Sequence, residues 1–458
     1  MKTTILKIKK ITTLIAMLIL FFNSVQAQRE GGWYTEGTDF APVQRIRITL
    51  TNPLSIPLND YPVIVNRSQL PFQNIPERWI AVVDPKLPSK KEPSPEELKA
   101  RSGYLRRMET NGHYLDVQVD DLDKNGIWDE MFFLANLAPK ESRNYYIYIG
   151  KYERGTTRQL VHGAISSQGR HLVPFIESED IGWKLWYPHD LDLHGKREPM
   201  LTLYYEYSTA TSGYFLPAEY GSDIMTVAQT FGAGGMCLFE NSKDPASIVR
   251  AFHSPNKDKG PFNDSRFSYD VVYNGPLRSM IKVTTTNWNS GRGFYELEQY
   301  YSVVARKSWC KVEVKFNTFL PPGSDAHFGA GIRRLTNEYT SVIKKGITIS
   351  MGKNIEARIP DEDIGGEALM VPWQGLGLVV KEKLKPEYLK IDSYGGNHLL
   401  KLPTTPNLTY EYLVFAGWSF GKVNNNEAAF VKYVESEALK YNNPLVIEIG
   451  HLESKVNN

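Results

Sequence analysis

Alternation with a period of two dominates this chain and most restricts what it can fold into. Gln44-Arg45-Ile46-Arg47-Ile48-Thr49-Leu50 and Lys311-Val312-Glu313-Val314-Lys315-Phe316 alternate polar and apolar side chains. Such a pattern fits a strand with one buried face and cannot place its apolar residues on one side of a helix. Tyr145 to Ile149, Leu201 to Tyr207, Tyr269 to Tyr273, Met280 to Thr286 and Leu408 to Phe415 are rich in β-branched and aromatic residues. Asn111-Gly112 and Asn274-Gly275 stand between such runs as turn signals. Only Glu96 to Met108 and Glu427 to Tyr441 read as helices, the second with Ala428, Val431, Val434 and Ala438 along one face. The expectation is an all-β protein with minor helices.

With 458 residues, two or three domains are expected. Strand patterning lapses over Gly150 to Gln168, which sets a small N-terminal β-sandwich at about 28–155 and a large β-unit at about 160–455. The proline- and lysine-rich stretch Asp84 to Pro95 reads as an exposed insertion in the first of these. No fixed-period repeat argues for a propeller or solenoid.

Met1 to Ala27 reads as a secretory signal: four lysines, an apolar core from Ile11 to Phe22, then Val25-Gln26-Ala27 as the cleavage signature. That core is too short for a comfortable membrane span, which takes about 20 residues. The expectation is an exported protein, periplasmic or extracellular, with no membrane span once processed. Lys+Arg 53 against Asp+Glu 51 gives +2, and loss of the four lysines leaves 49 against 51, or −2. No basic excess remains to neutralise phosphates, which argues against a nucleic-acid partner. Two cysteines, Cys237 and Cys310, rule out a disulfide-dense scaffold and leave open whether the pair is bonded.

Three motifs carry chemistry. Asp121, Asp123, Asn125 and Asp129 place oxygen ligands at positions 1, 3, 5 and 9 around Gly126, the core of a calcium loop. Phe132 stands where a complete EF-hand has its bidentate Glu, so a structural calcium competes with a solvated acidic turn. Next, Asp190, Asp192, His194 and Lys196 share one face of an extended segment, where acids, an imidazole and an ammonium can bind sugars or transfer protons. Finally, the run 326–334 puts Phe328, Ala330 and Ile332 on a core face, and His327, Gly329, Gly331 and Arg333 on the other. The two glycines would leave a shallow trough between a histidine base and an arginine able to hold a carboxylate. Arg334 points the opposite way in this register. Neither a dinucleotide fingerprint in a βαβ context, nor a Gly-x-Ser-x-Gly elbow, nor a His-Glu-x-x-His helix occurs, so no organic cofactor is expected.

Several segments occur together in one known family. They are Val117-Gln118-Val119-Asp120-Asp121-Leu122-Asp123 with Asn125-Gly126, Trp128-Asp129-Glu130, Asp192 with Gly195-Lys196, and Tyr220-Gly221-Ser222-Asp223-Ile224. Phe231-Gly232-Ala233-Gly234-Gly235, Asn274-Gly275-Pro276-Leu277-Arg278-Ser279 and Gly329-Ala330-Gly331-Ile332 complete the set. In these the chain resembles an uncharacterised family of secreted bacterial proteins, a domain of unknown function often encoded in polysaccharide-utilisation clusters. The resemblance implies a small N-terminal β-sandwich and a large galactose-mutarotase-like supersandwich. Trp186-Tyr187-Pro188-His189 departs from the acidic, arginine-containing run that the family would place before Asp192.

The expected partner is an oligo- or polysaccharide, and three functions compete. One is β-elimination on uronate-containing fragments by a lyase or dehydratase, with His327 as base, Arg333 or Arg334 as carboxylate clamp, and His194 and Lys196 in support. Another is glycoside hydrolysis by a carboxylate pair drawn from Asp190, Asp192, Glu219 and Asp223. The last is glycan binding without turnover. The oligomeric state is left open.

Overall fold

The computed structural model describes residues 33, 42–71, 75–87, 96, 114–150, 157–168, 171–185, 191–208, 219–225, 227, 230–251, 265–320, 325–358 and 369–455. The signal segment 1–27, Asn111-Gly112, residues 186–190, most of the helix expected over Glu96 to Met108 and most of the insertion from Asp84 to Pro95 lie outside them. The described residues form five antiparallel sheets, and the protein is all-β. No helix among them is long and apolar enough to cross a membrane.

Two compact units divide the chain: residues 1–119, 126–157 and 445–458 make one, and 120–125 with 158–444 the other. In the first, one sheet has the strand order Val446–Ser454, Gln44–Thr51, Ser142–Ile149, Ile80–Val83, Tyr114–Leu115. The second sheet orders Leu58–Asn66, Glu130–Leu137 and Val117–Asp120. Ile46, Ile48, Leu50 and Ile147 from one sheet meet Val63, Val65, Met131 and Phe133 from the other in a single core, which makes this unit a β-sandwich. The alternation read from Gln44 to Leu50 is thus the inward half of a sandwich strand. The large unit does not run to residue 455 as expected. The C-terminal strand Val446–Ser454 instead pairs along Gln44–Thr51 as an edge strand of the first sheet, a long-range pairing that no local pattern announces.

The large unit holds an eight-stranded sheet and two five-stranded sheets. Long strands such as Arg278–Asn289, Phe294–Val304, Trp309–Leu320, Thr409–Trp418 and Leu369–Val380 build the large sheet. Asn274-Gly275 turns the chain between Arg266–Asn274 and Arg278–Asn289, with Gly275 N donating to Arg278 O at 3.1 Å. The first five-stranded sheet orders Gly221–Asp223, Leu191–Lys196, Ile181–Leu185, His171–Ser178 and Val161–Gln168. The second orders Ile248–Val249, Gly235–Phe239, His327–Arg333, Asn397–Pro403 and Glu387–Ile391.

Both small sheets pack on the large one. Trp418 covers Gly195, and Phe328 stacks on Tyr410 with ring centroids 4.2 Å apart. Trp183, Trp288, Trp418, Tyr301, Tyr410 and Tyr412 are fully buried, so much of the aromatic content is core. The helix expected from Glu427 runs Glu427–Asn442, capped by Asn426, whose side chain accepts from Ala429 N at 3.0 Å. It buries Phe430, Val434, Glu437 and Ala438, a stripe rotated from the one expected, because Glu437 is held inside by Lys307 and Trp309. The run Leu201 to Tyr207 is no strand: Leu203–Ser208 is a short helix started over Glu177, whose carboxylate accepts from Thr202 N and Leu203 N.

Candidate functional site

Ionisable groups concentrate on one face of the sheet that contains Leu191–Lys196. Register places Lys184 opposite Asp192, Gly182 opposite His194, and His194 opposite Asp223. Alternation sends Leu193 and Trp183 to the other face, toward the large sheet. Lys184 Nζ lies 3.0 Å from Asp192 Oδ2 and 4.0 Å from Asp223 Oδ2, so one ammonium serves two carboxylates. All four residues, Lys184, Asp192, His194 and Asp223, are buried. Asp192 Oδ1 also accepts from Leu193 N, and Asp223 Oδ1 from Met225 N. Burial pushes the Asp192 carboxyl above its usual range, against the opposing pull of Lys184.

Arg333 reaches this cluster from the neighbouring sheet. Its guanidinium feels the charge of Asp192, and burial pushes it below its usual value. Its Nε is enclosed and has no hydrogen-bond partner among the described residues, while the residue as a whole keeps a partly exposed edge. The turn Phe231-Gly232-Ala233-Gly234-Gly235 brings the strands together: Ala233 N donates to Leu191 O at 2.8 Å, and Arg333 N donates to Gly232 O at 2.8 Å. Gly232 has φ +55°, and a Cβ there would stand 2.6 Å from Leu191 O, so only glycine allows this approach. The segments around 190 and 330 are therefore brought together through the turn 231–235, with Asp192 near enough to act on the charge of Arg333.

Other expected members do not join them. His327 begins the strand that Arg333 ends, six extended residues or about 20 Å away. The glycine trough between them is filled. Cys237 and Phe239 pack over Gly329, and Phe231 with Leu399 packs over Gly331. These glycines make room for aromatic rings of the protein itself, which the alternation pattern could not distinguish from room for a ligand. Lys196 shares the face of Asp192 and His194 but is committed elsewhere: it pairs with Glu177 and donates to Ser178 O at 2.6 Å and Met200 O at 2.7 Å. Both partners are fully buried. Burial would raise the Glu177 carboxyl, but Lys196, His162 and the Thr202 amide together bring it down to about 2.

Arg334 pairs with Asp392 at 2.8 Å near the surface. Glu219 is exposed at the bend before Gly221–Asp223 and makes none of the cluster's contacts, and Asp190 lies outside the described residues. Lys184 and Glu177, central to the face, were not anticipated. A lysine alternating into Ile181-Gly182-Trp183-Lys184-Leu185 was the available signal.

In the acidic turn, the carboxylates of Asp121, Asp123 and Asp129 lie within 4.8 Å of one another. Gly126 takes φ +87°, the turn its glycine was expected to permit. Asn125 donates its amide nitrogen to Asp123 at 2.8 Å, and its backbone N donates to Asp121 and Asp123 at 3.1 Å. Both cysteines are buried free thiols.

The family model described as domain of unknown function (DUF4861) matches residues 50–447. The chain belongs to this family. No curated protein matches it in sequence. Among solved structures, it is similar to an alpha-mannosidase from Enterococcus faecalis V583, with a TM-score of 0.44 and 12% identity over 90% of this chain and 46% of that one. It is also similar to a glycosyl hydrolase family 38 protein from Enterococcus faecalis, with a TM-score of 0.44 and 11% identity over 90% and 48% of the two chains. This chain spans about half the length of both.

Proposed function

We propose that this protein is an exported carbohydrate-active enzyme that acts on uronate-containing glycan fragments by β-elimination. The observation behind this reading is Arg333, a guanidinium with an enclosed, unpartnered Nε beside a buried carboxyl. An anionic group of the ligand supplies the acceptor that no described residue does. Lys184 is already shared by Asp192 and Asp223, so among the described residues of this cluster the cation left for a substrate carboxylate is Arg333.

Elimination next to a carboxylate needs a base for the α-proton, a cation for the developing enolate and an acid for the departing oxygen. Arg333 takes the carboxylate and the enolate charge. His194, on the face of Asp192 and across from Asp223, replaces the distant His327 as the base. His194, once it has taken the α-proton, carries the hydrogen that the departing oxygen needs, while Asp192 and Asp223, joined through Lys184, hold the cluster in place. Hydrolysis is the second reading, favoured by the two carboxylates that straddle Lys184.

The test is incubation with uronate oligosaccharides of defined linkage. Elimination gives unsaturated products absorbing near the ultraviolet edge, whereas hydrolysis gives saturated reducing ends. Arg333→Ala is expected to weaken substrate binding by about 2–5 kcal/mol and His194→Gln to lower turnover by about 10². Saturated products, or an Arg333→Ala enzyme with unchanged kinetics, would refute the elimination reading.

A further inference from the structure

A separate ionisable cluster lies on the opposite face of the sheet that carries Arg333. Register pairs Arg333 with Asn397 and Ile332 with His398, so Arg333 and His398 point to opposite sides. His398 is wholly buried. Its Nε2 lies 2.7 Å from Glu338 Oε1, and its Nδ1 lies 2.8 Å from the Tyr388 hydroxyl. The Tyr388 ring stacks on the imidazole at 5.9 Å. Ser350 donates to the same Glu338 oxygen at 2.6 Å and accepts from Leu335 N, which fixes the carboxylate. Glu338 belongs to the edge strand of the eight-stranded sheet, and Tyr388 to the edge strand of the five-stranded one, so the relay stands where the two edges meet.

The charged groups facing this relay are Glu338 from the large sheet, Lys390 beside it on the strand of Tyr388, and Arg334 with its partner Asp392. Lys390 is exposed, and it has no ion-pair partner among the described residues. Arg334 is near enough to pull against the rise that burial imposes on the Tyr388 hydroxyl. Asp392 is itself 90% exposed, and such a surface pair is worth little, so another anion can replace it.

We propose that Tyr388, with Arg334 and Lys390, forms a second ligand site, one that takes a carboxylate-bearing sugar and binds it together with a proton. The carboxylate of Glu338 accepts from His398 Nε2, so that nitrogen carries hydrogen. With neutral imidazole, Tyr388 gives its hydroxyl hydrogen to the bare Nδ1. A ligand carboxylate at Tyr388 claims that hydrogen instead. The Tyr388 oxygen and Nδ1 would then face each other with no hydrogen between them, unless Nδ1 takes up a proton. The imidazolium that results is held by Glu338, in the way a carboxylate stabilises the charged imidazole of a catalytic triad. Binding is thereby linked to uptake of one proton, so affinity rises as pH falls.

The test uses Arg333→Ala protein, which removes the site proposed above and keeps the two ideas separable, with D-glucuronate as the probe. Calorimetric titration in two buffers of different ionisation enthalpy counts the protons taken up. The expected result is uptake of about one proton per ligand and affinity rising about tenfold per unit of falling pH wherever that uptake is complete. Tyr388→Phe should abolish the uptake, and Arg334→Ala should weaken binding at least fivefold. Histidine ¹⁵N spectra, with His398 assigned by its loss in His398→Gln, should show both ring nitrogens protonated in the complex. No binding at tens of millimolar probe, binding without proton uptake, or uptake that survives Tyr388→Phe would each overturn the proposal.

Discussion

Replacing Lys196 by Met separates a structural lysine from a catalytic one. The Lys196 ammonium is fully buried, pairs with a fully buried Glu177, and donates to two backbone carbonyls, Ser178 O and Met200 O. Methionine keeps the stem and removes the charge. It leaves Glu177 with its Thr202 and Leu203 amides and the His162 ring 3.7 Å away, but without the ammonium. The shift of Glu177 from 4.5 to about 2 measures how strongly the fold prefers the ionised form. At 1.36 kcal/mol per unit that preference is about 3 kcal/mol. Breaking a buried pair by removing one partner costs about 3–5 kcal/mol, an overlapping figure and not an additional one.

The expected loss at neutral pH is therefore about 3–5 kcal/mol, read by urea unfolding. Its pH dependence has a definite sign. A carboxyl whose folded value is depressed adds stability that is complete above its unfolded value and fades as pH falls through the folded one. For Glu177 the window runs from about 4.5 down to about 2. The gap between wild type and Lys196→Met should narrow across that window, and Glu177→Gln in the Lys196→Met background should recover much of the loss. Exposed Lys353→Met is the control, expected within about 0.5 kcal/mol. A Lys196→Met protein within about 1 kcal/mol of wild type, or a gap that stays constant with pH, would show that this pair does not hold the sheet.

Three further outcomes follow from the geometry. Gly232→Ala forces a Cβ to 2.6 Å from Leu191 O at φ +55°, which should cost about 1–3 kcal/mol by calorimetry and displace Arg333; an unchanged melting temperature would contradict the close approach. Cys237, whose thiol burial raises to about 12, and Cys310, raised further still, should ignore a thiol reagent in the native protein and both react in denaturant, whereas a bonded pair would give no free thiols. Calcium is proposed at Asp121, Asp123, Asn125 and Asp129, where the three aspartate carboxylates converge; metal-stripped protein should melt higher in excess calcium and Asp121→Asn should lose the effect, so identical melting in chelator and in calcium would count against it.

Strands were the legible part of this sequence because one buried face imposes a period of two wherever a strand lies on a core. The runs around 44–50, 145–149, 269–273, 280–286 and 311–316 fall within strands for that reason, as does 408–415 from Thr409 onward. The exceptions have local causes. Leu201 to Tyr207 carries strand-like residues, yet a buried carboxylate caps its amides and a helix turn results. Val446–Ser454 pairs with Gln44–Thr51 across about 400 residues, and such a pairing leaves no mark on either segment alone.

The site divides along the same line. Alternation correctly placed Asp192, His194 and Lys196 on one face, yet it could not say that this face is buried and that Lys196 is consumed there by Glu177, a residue from a different strand. It also set His327 and Arg333 on one face of one strand, and there its resolution ended. Sharing a face fixes a direction, not a distance, and six residues of strand carry the two about 20 Å apart. What selects Arg333 over His327 is the turn 231–235, where a positive-φ glycine lets two sheets approach, so that Arg333 faces Asp192 while His327 faces Phe239 across its ladder. A charge on an alternating strand thus gains a chemical role only from the neighbouring strand that completes or cancels it. That neighbour is Glu177 for Lys196, Asp192 for Lys184, and for the Arg333 Nε no described group of the protein at all.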